Sequence, residues 1–522
     1  MGEKYYLGFD FSTQSLTAIV TDGTSIVKKI SKRYDELQPD GFGLEDGVWK
    51  FPDGSAFGSP DVWLKSLDFV LKELSNDGLT EKIAAISGSA QQHGSVYLSK
   101  KISEISASLK EGGLTEQASF FSRYAQTPGG LQAVSPIWMD NSTTQYMDEI
   151  VQSVGLEQFL KLSGNGPFER FTGSQIRKFY SQDEESYKKT QEIHLISSFF
   201  AGLLSGKNGV CPGDATGMSL MNIESRNWST KLLLATAPDL LQKLPTIVNP
   251  LKPLDNILKY FCGEYGFNEG VKIYPFEGDN PSSLIGMGGI MPGRVIISLG
   301  TSDTFFGNLG GNLYIDEKQE ISIFGAPTGH MDNMYIGVWK NGSLGREKIK
   351  NEFNLDWDEF SDYLLSTEPD PDKIGIYWFD PEITPRASGV YRSDGFSEQD
   401  KYNVKAIVES KILSMMIRLG RLGIKPEEIY VTGGGSQNPG ILQVIADIAG
   451  VNVYRQSISD SAALGAALRA RHGYLKSDWQ DIVKPFNIGI EQIIPNMNSH
   501  EIYTEMLPKY EEFEKHHAMN IK

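Results

Sequence analysis

The sequence predicts an α/β protein built from two domains. Three observations carry that expectation. Strand-like and helix-like stretches alternate in both halves of the 522 residues. One strand, KIAAISGS, is apolar nearly throughout, as suits a sheet covered on both faces. Two hydroxyl-rich hairpins, Gly8 to Ser15 and Ile297 to Thr304, stand about half the chain apart, with Ser12-Thr13 falling against Gly300-Thr301.

The elements follow in order. YYLGFDF and SLTAIVTD read as the first two strands around a polar turn. SPDVWLKSLDFVLKELSNDG is a helix with Ser59 as N-cap, Pro60 at its first position and Gly78 as its stop. Trp63, Leu67, Val70, Leu71 and Leu74 share one face of it. KIAAISGS is the next strand. In the second half, RVIISLGTS is a strand entering a Gly-Thr-Ser turn, and IYVTGGGS is a strand ending in three glycines. NPGILQVIADIAG is a helix capped by Asn438, with Pro439 next and Gly450 at its end. VNVYR is a strand, and DSAALGAALRARHG is an Ala-rich helix with Asp460 as its expected cap. EIYTEMLPKYEEFEKHH reads as an amphipathic helix. A boundary near Tyr274 gives domains of residues 1–273 and 274–522.

Composition narrows the function. A net charge of −17 disfavours duplex nucleic acid and anionic membranes, both of which need a basic face. Two cysteines, Cys211 and Cys262, are neither a disulfide framework nor a zinc cluster, so a reducing compartment fits. No stretch reaches the ~20 apolar residues of a membrane helix, and the first residues do not read as a secretory signal. A cytoplasmic location is expected.

Five stretches could carry chemistry. The turn from Asp10 to Ser15 offers backbone N–H groups and hydroxyls that can hold phosphate oxygens, with Asp10 as anchor for hydrated Mg2+. A plain polar turn is the alternative. The second hairpin, SLGTSDT, favours two jaws closing on one polyphosphate. TGGGSQN lets backbone approach a ligand beside a helix N-terminus, which suits a base and ribose. No GxxxxGK[ST] and no GxGxxG occurs. In FEGDNPSSL, Asp279 precedes Asn280-Pro281, the expected cap and first residue of a helix. Such a carboxylate should stay ionised at neutral pH and accept a hydroxyl proton. A capping acid alone is the other reading. Gln91, Gln92 and His93 end a strand and suit a polyol, although a lone histidine is more often structural. Arg170 is a further candidate; Asp140 and Asp214 read as structural.

Taken in chain order, GFDFSTQS, AQQHG, IWMDNSTT, ERFTG, GDNPSSL, SLGTSDT, TGGGSQN and DSAALGAAL resemble the motifs of the FGGY carbohydrate kinases, from residue 7 to about 473. QQHGS, ERFTG, GDNP, LGTSDT and KNGSLGREKI are most similar to the eukaryotic-type xylulokinase branch. Gln92 and Asp303 depart from the bacterial pattern and match that branch. The resemblance implies two ribonuclease-H-like domains of the actin-like superfamily around a central cleft. It implies ATP-dependent phosphorylation of D-xylulose, with Asp279 as base and Asp10 positioning Mg2+. Thr13 and Gln14 would lie in one phosphate hairpin, Thr301 and Ser302 in the other. The sugar would meet Gln92, His93, Arg170, Asp279 and Asn280. The adenosine would meet Gly433, Gly434, Gly435, Asn438 and Trp357. The implied partners are ATP and the sugar, in a monomer or homodimer. Kinases of ribulose, gluconate or glycerol, and an ATP-driven clamp, stay open as alternatives at this point.

Overall fold

The computed structural model describes residues 3–116, 120–456, 460–487 and 491–518. The first sheet comprises β1 (Tyr5–Phe11), β2 (Ser15–Thr21), β3 (Ile26–Arg33), β4 (Ile83–Ala90), β5 (Asp255–Asn256), β6 (Lys272–Ile273) and β7 (Glu277–Gly278). Its order is β5-β6-β4-β1-β2-β3, with β7 also paired to β4. All seven residues of β1 are buried, whereas the edge strand β3 alternates toward solvent and carries Lys28, Lys29 and Lys32. Charge on an edge strand discourages pairing with another chain.

The second sheet repeats the plan. It comprises β8 (Arg294–Leu299), β9 (Asp303–Gly310), β10 (Ile321–Gly325), β11 (Asn333–Trp339), β12 (Glu428–Thr432), β13 (Val453–Arg455) and β14 (Glu491–Ile493), ordered β10-β11-β9-β8-β12-β13-β14. In each sheet an antiparallel hairpin lies beside a parallel strand: β1–β2 with β4, and β8–β9 with β12. The fold is the expected α/β architecture. The first sheet takes in β7, just beyond Tyr274, before the chain crosses to the second.

Seven helices position the site or join the two halves. They are α1 (Pro60–Asn76), α2 (Thr172–Gln182), α3 (Asp279–Gly286), α4 (Ser343–Glu352), α5 (Trp357–Ser366), α6 (Pro439–Ala449) and α7 (Ser461–Leu475). The caps of α1 and α6 form as expected: Ser59 Oγ accepts from Val62 N at 3.4 Å, and Asn438 Oδ1 accepts from Ile441 N at 3.0 Å. The expected cap of α7 does not. Asp460 has φ +62° and makes no capping bond; its carboxylate instead takes Lys29 Nζ of β3. The ion pair across the two halves wins over the local turn.

The Ala-rich composition of α7 has a packing reason. This helix comes late in the chain, yet it lies against β1 and β4 of the first sheet and against α3. A Cβ at Gly8 would overlap the Ala463 carbonyl oxygen, and one at Gly465 would overlap that of Ser282. Only glycine and alanine let the backbones come so close. Arg469 of α7 is fully buried, ion-paired to Glu277 at 3.1 Å, and donates to Ser87 Oγ at 2.7 Å and the Pro275 carbonyl at 2.6 Å. Ile19, Leu284, Ile296, Leu464 and Leu468 belong to one apolar cluster shared by both halves. Among the described residues no helix is long and apolar enough to cross a membrane.

Candidate active site

The strand alternation of β1 puts Asp10 beside Thr17 on one side and Ser89 on the other. Ser89 Oγ donates to Asp10 Oδ1 at 2.5 Å, and Ser12 Oγ donates to Oδ2. Asp10 is buried, and no cation reaches it within ion-pair distance among the described residues. Burial pushes its pKa up. The turn closes through Ser12 N to the Ser15 carbonyl at 3.0 Å. Thr13 Oγ1 accepts from Trp138 Nε1 at 3.0 Å and lies 3.3 Å from Gln91 Oε1, to which it donates. Gln14 is exposed and stands apart, with Arg33 Nη1 at 3.5 Å.

Asp279 corrects two expectations. It opens α3, whose N-cap is Gly278, so Asn280 sits in the first turn and is not the cap. Asn280 N donates to Asp279 Oδ1 at 2.8 Å, which favours the anion. Burial nevertheless dominates, the charge of Asp10 adds to it, and the pKa rises to about 7. The carboxyl is therefore poised near neutrality rather than held firmly ionised. Asp214 lies close behind: a Cβ at Gly278 would come within 2.8 Å of its Oδ1. Burial, then Glu277, drives the Asp214 pKa well above the carboxylate range.

Beside Asp279 a cavity of about 660 Å3 is lined by Gln92, His93, Arg170 and Asn280 from the first half and α3, and by Ser322 and Phe324 of β10. His93 Nδ1 lies 3.0 Å from the Gly217 carbonyl, so that nitrogen carries the proton and Nε2 is left as an acceptor. Burial, reinforced by Arg170, holds its pKa down to about 3, so the ring is neutral at physiological pH. Its ring lies 4.6 Å from that of Phe171, and its backbone has φ +68°. Gln92 Oε1 accepts from Asn280 Nδ2 at 2.9 Å, while its Nε2 is buried without a partner. A buried amide donor left unpaired is costly unless a ligand satisfies it. The cavity thus offers a neutral acceptor, a free donor and a guanidinium, which is a set suited to hydroxyl groups.

A larger cavity, about 1490 Å3, belongs to the second half. Thr301, Arg346, Trp357, Gly434, Gly435 and Asn438 line it. Asn438 Nδ2 donates to the Trp357 carbonyl at 3.3 Å, tying the start of α6 to that of α5. Trp357 remains 43% exposed, with Lys350 Nζ 5.4 Å from its ring centre. Gly433 serves the turn itself: it has φ +86°, and a Cβ there would overlap the Leu299 carbonyl oxygen. Ser302 lies in the turn next to Thr301 without lining the cavity.

Sequence reasoning missed the partner of Asp303. Arg346, 43 residues on, makes a bidentate pair with it at 2.5 and 3.0 Å. No local spacing announces such a pair. Asp140, read as structural, is buried and caps its own loop through Ser142 N at 3.0 Å.

Comparison with known proteins then decides the family. Residues 132–286 match the N-terminal domain, and residues 371–474 the C-terminal domain, of the FGGY family of carbohydrate kinases. Xylulose kinase 2 of Arabidopsis thaliana is 38% identical over 501 residues, covering 91% of this chain and 88% of that protein. The chain belongs to the FGGY family of carbohydrate kinases. The xylulose kinase of Rattus norvegicus is 35% identical over 540 residues, 98% of this chain and 97% of that one. The crystal structure of xylulose kinase from Rhodospirillum rubrum superposes with a TM-score of 0.81 at 17% identity, covering 98% of this chain and 99% of the other, a likeness of fold. The family makes this protein a carbohydrate kinase.

Proposed function

We propose that this kinase transfers the γ-phosphoryl group of ATP to O5 of D-xylulose. The observation that carries the reading is the hydroxyl-binding cavity directly beside Asp279, in a chain whose eukaryotic relatives named xylulose kinase align over nine tenths of its length. In this reading Gln92 Nε2 donates to a sugar hydroxyl, His93 Nε2 accepts from another, and Arg170 and Asn280 fix the orientation. Asp279 takes the proton of the attacking hydroxyl as its oxygen bonds to the γ-phosphorus, and the bond to the β–γ bridging oxygen breaks to give ADP. Thr301 and the turn amides of both hairpins receive phosphate oxygens. Gly434, Gly435, Asn438 and the face of Trp357 receive the adenosine.

The residues present fit a hydrated magnesium ion. Burial and the charge of Asp10 raise the proton affinity of Asp279, burial raises that of Asp10, and no cluster of three protein ligands exists among the described residues. Asp10 would hold the ion through retained waters, as Mg2+ prefers. Bound there, the ion neutralises phosphate charge during transfer. The two domains, residues 1–273 and 274–522, would close around both substrates and exclude water that would otherwise hydrolyse ATP.

The test is ADP release with MgATP and a panel of D-xylulose, D-ribulose, L-ribulose, glycerol and gluconate. Fast release with D-xylulose alone is expected. Fast release with another member keeps the transfer and overturns the sugar. Release indifferent to every sugar overturns the transfer to a sugar hydroxyl.

A further inference from the structure

A third cavity opens in the first half, away from the cleft. It measures about 830 Å3 and runs between residues 51–57, residues 123–126 and the last turns of α2. Arg123 and Lys178 line it, 7% and 4% exposed. Neither has a carboxylate within ion-pair distance among the described residues. The Arg123 guanidinium lies 4.9 Å from the ring centre of Phe179, 5.0 Å from Tyr97 and 5.6 Å from Phe57, and its Nη1 is buried without a hydrogen-bond partner. Lys178 Nζ donates to Ser55 Oγ at 2.9 Å and Ser142 Oγ at 2.5 Å. Burial, with Arg123 adding to it, pulls the Lys178 pKa down, against the opposing charges of Asp140 and Asp53. Among the described residues Asp53 is the one carboxylate on the rim, and Ser55 occupies it through N at 3.0 Å and Oγ at 2.9 Å. Asp140 sits behind, on Ser142. Gln126 and Gln182 complete the rim with exposed amides.

Two buried cations side by side, neither paired, is an expensive arrangement. Phosphorylation of the sugar uses neither of them. An anion is the missing component, and a guanidinium with an ammonium is the usual pair for a phosphate group. We propose that this groove is a second ligand site, which binds a phosphate group, free or carried on a sugar, between Arg123 and Lys178. The site is wired to the cleft. Ser142 belongs to the loop that carries Trp138, whose indole holds Thr13 of the first hairpin. Lys178 rides on α2, which starts just after Arg170 and Phe171 of the sugar cavity. An occupant of the groove therefore acts on both substrates' surroundings.

The full chain, with saturating MgADP in the nucleotide cavity, is titrated calorimetrically with inorganic phosphate and separately with ribose 5-phosphate. Saturable one-to-one binding is expected, weakened at least tenfold by Arg123→Met. Turnover of that variant in phosphate-free buffer should match the parent. Binding of phosphate alone identifies the free ion as the occupant; binding of the ester alone identifies a sugar phosphate. Gln182→Glu adds a carboxylate to the exposed rim without touching the core, and it should weaken binding similarly even if Arg123→Met fails to fold. Absence of saturable binding by both probes overturns the proposal. So does affinity unchanged in Gln182→Glu or in a folded Arg123→Met.

Discussion

The two hairpins follow one path but carry opposite electrostatics. In the first, Asp10 stands two residues before the turn, buried, raised in pKa and, among the described residues, unpaired with any cation. In the second, the matching position is Ser298, beside Thr432 as Asp10 is beside Ser89. The acid of that hairpin is Asp303, after the turn, and Arg346 cancels it with two hydrogen bonds. The backbone repeat supplies amide donors twice, but only the first copy keeps an available negative charge. On the proposed function this would split the labour, with one jaw for a metal and the other for phosphates and nucleoside. An uncompensated buried carboxylate lowers stability, and proteins keep such departures at sites of function.

Substitutions can break this contrast, and the largest effect is expected next to the first jaw. Asp279→Asn should lower kcat by about 10²–10⁴-fold while MgATP binding, measured by calorimetry, stays near the parent value. Near-parental turnover would remove Asp279 from the role of base. Asp10→Asn should cost a comparable factor and raise the Mg2+ concentration needed for half-maximal rate. Adding Ser298→Asp to it should not restore activity; restoration would show that the jaws are interchangeable. In the second jaw, Arg346→Met leaves Asp303 buried and alone, so unfolding free energy should fall by about 3–5 kcal/mol, with Asp303→Asn as a second change recovering most of it. The acid limb comes next. With Asp279 at about 7, kcat/KM should fall tenfold per pH unit below that value, since the base must be ionised. The linked stability runs the other way. The raised group favours the folded state when protonated, an advantage present below the unfolded pKa near 3.8 and lost as pH rises through about 7. Asp279→Asn should therefore gain on the parent by a few kcal/mol above pH 7 and show little difference at pH 4. The smallest effect is expected from Trp357→Ala, about 1–3 kcal/mol in ATP affinity with the sugar KM unchanged.

Much of this contrast is legible in the chain, and the unread part has a common cause. Strand, turn and cap signals are local, so the hairpins, the glycine turn and the helices after Ser59 and Asn438 can be read directly. Gln92, His93, Arg170 and Asn280 do line one cavity, and Thr301, Trp357, Gly434, Gly435 and Asn438 another. What escaped are pairings across long separations. Asp303 with Arg346, Glu277 with Arg469 and Lys29 with Asp460 have no spacing to announce them. The protonation of Asp279 escaped for a related reason. The helix terminus that favours its charge is local, whereas the burial that opposes it comes from the assembled fold.

The late helix beneath β1 has a consequence for biosynthesis. The ribosome delivers β1 about 450 residues before α7, so throughout that interval the face around Gly8 lacks its cover. A nascent chain must shelter that apolar sheet by other means, and a message truncated before codon 461 yields a polypeptide whose first lobe cannot finish. Mistakes in translation are thereby reported at the beginning of the molecule rather than at its severed end.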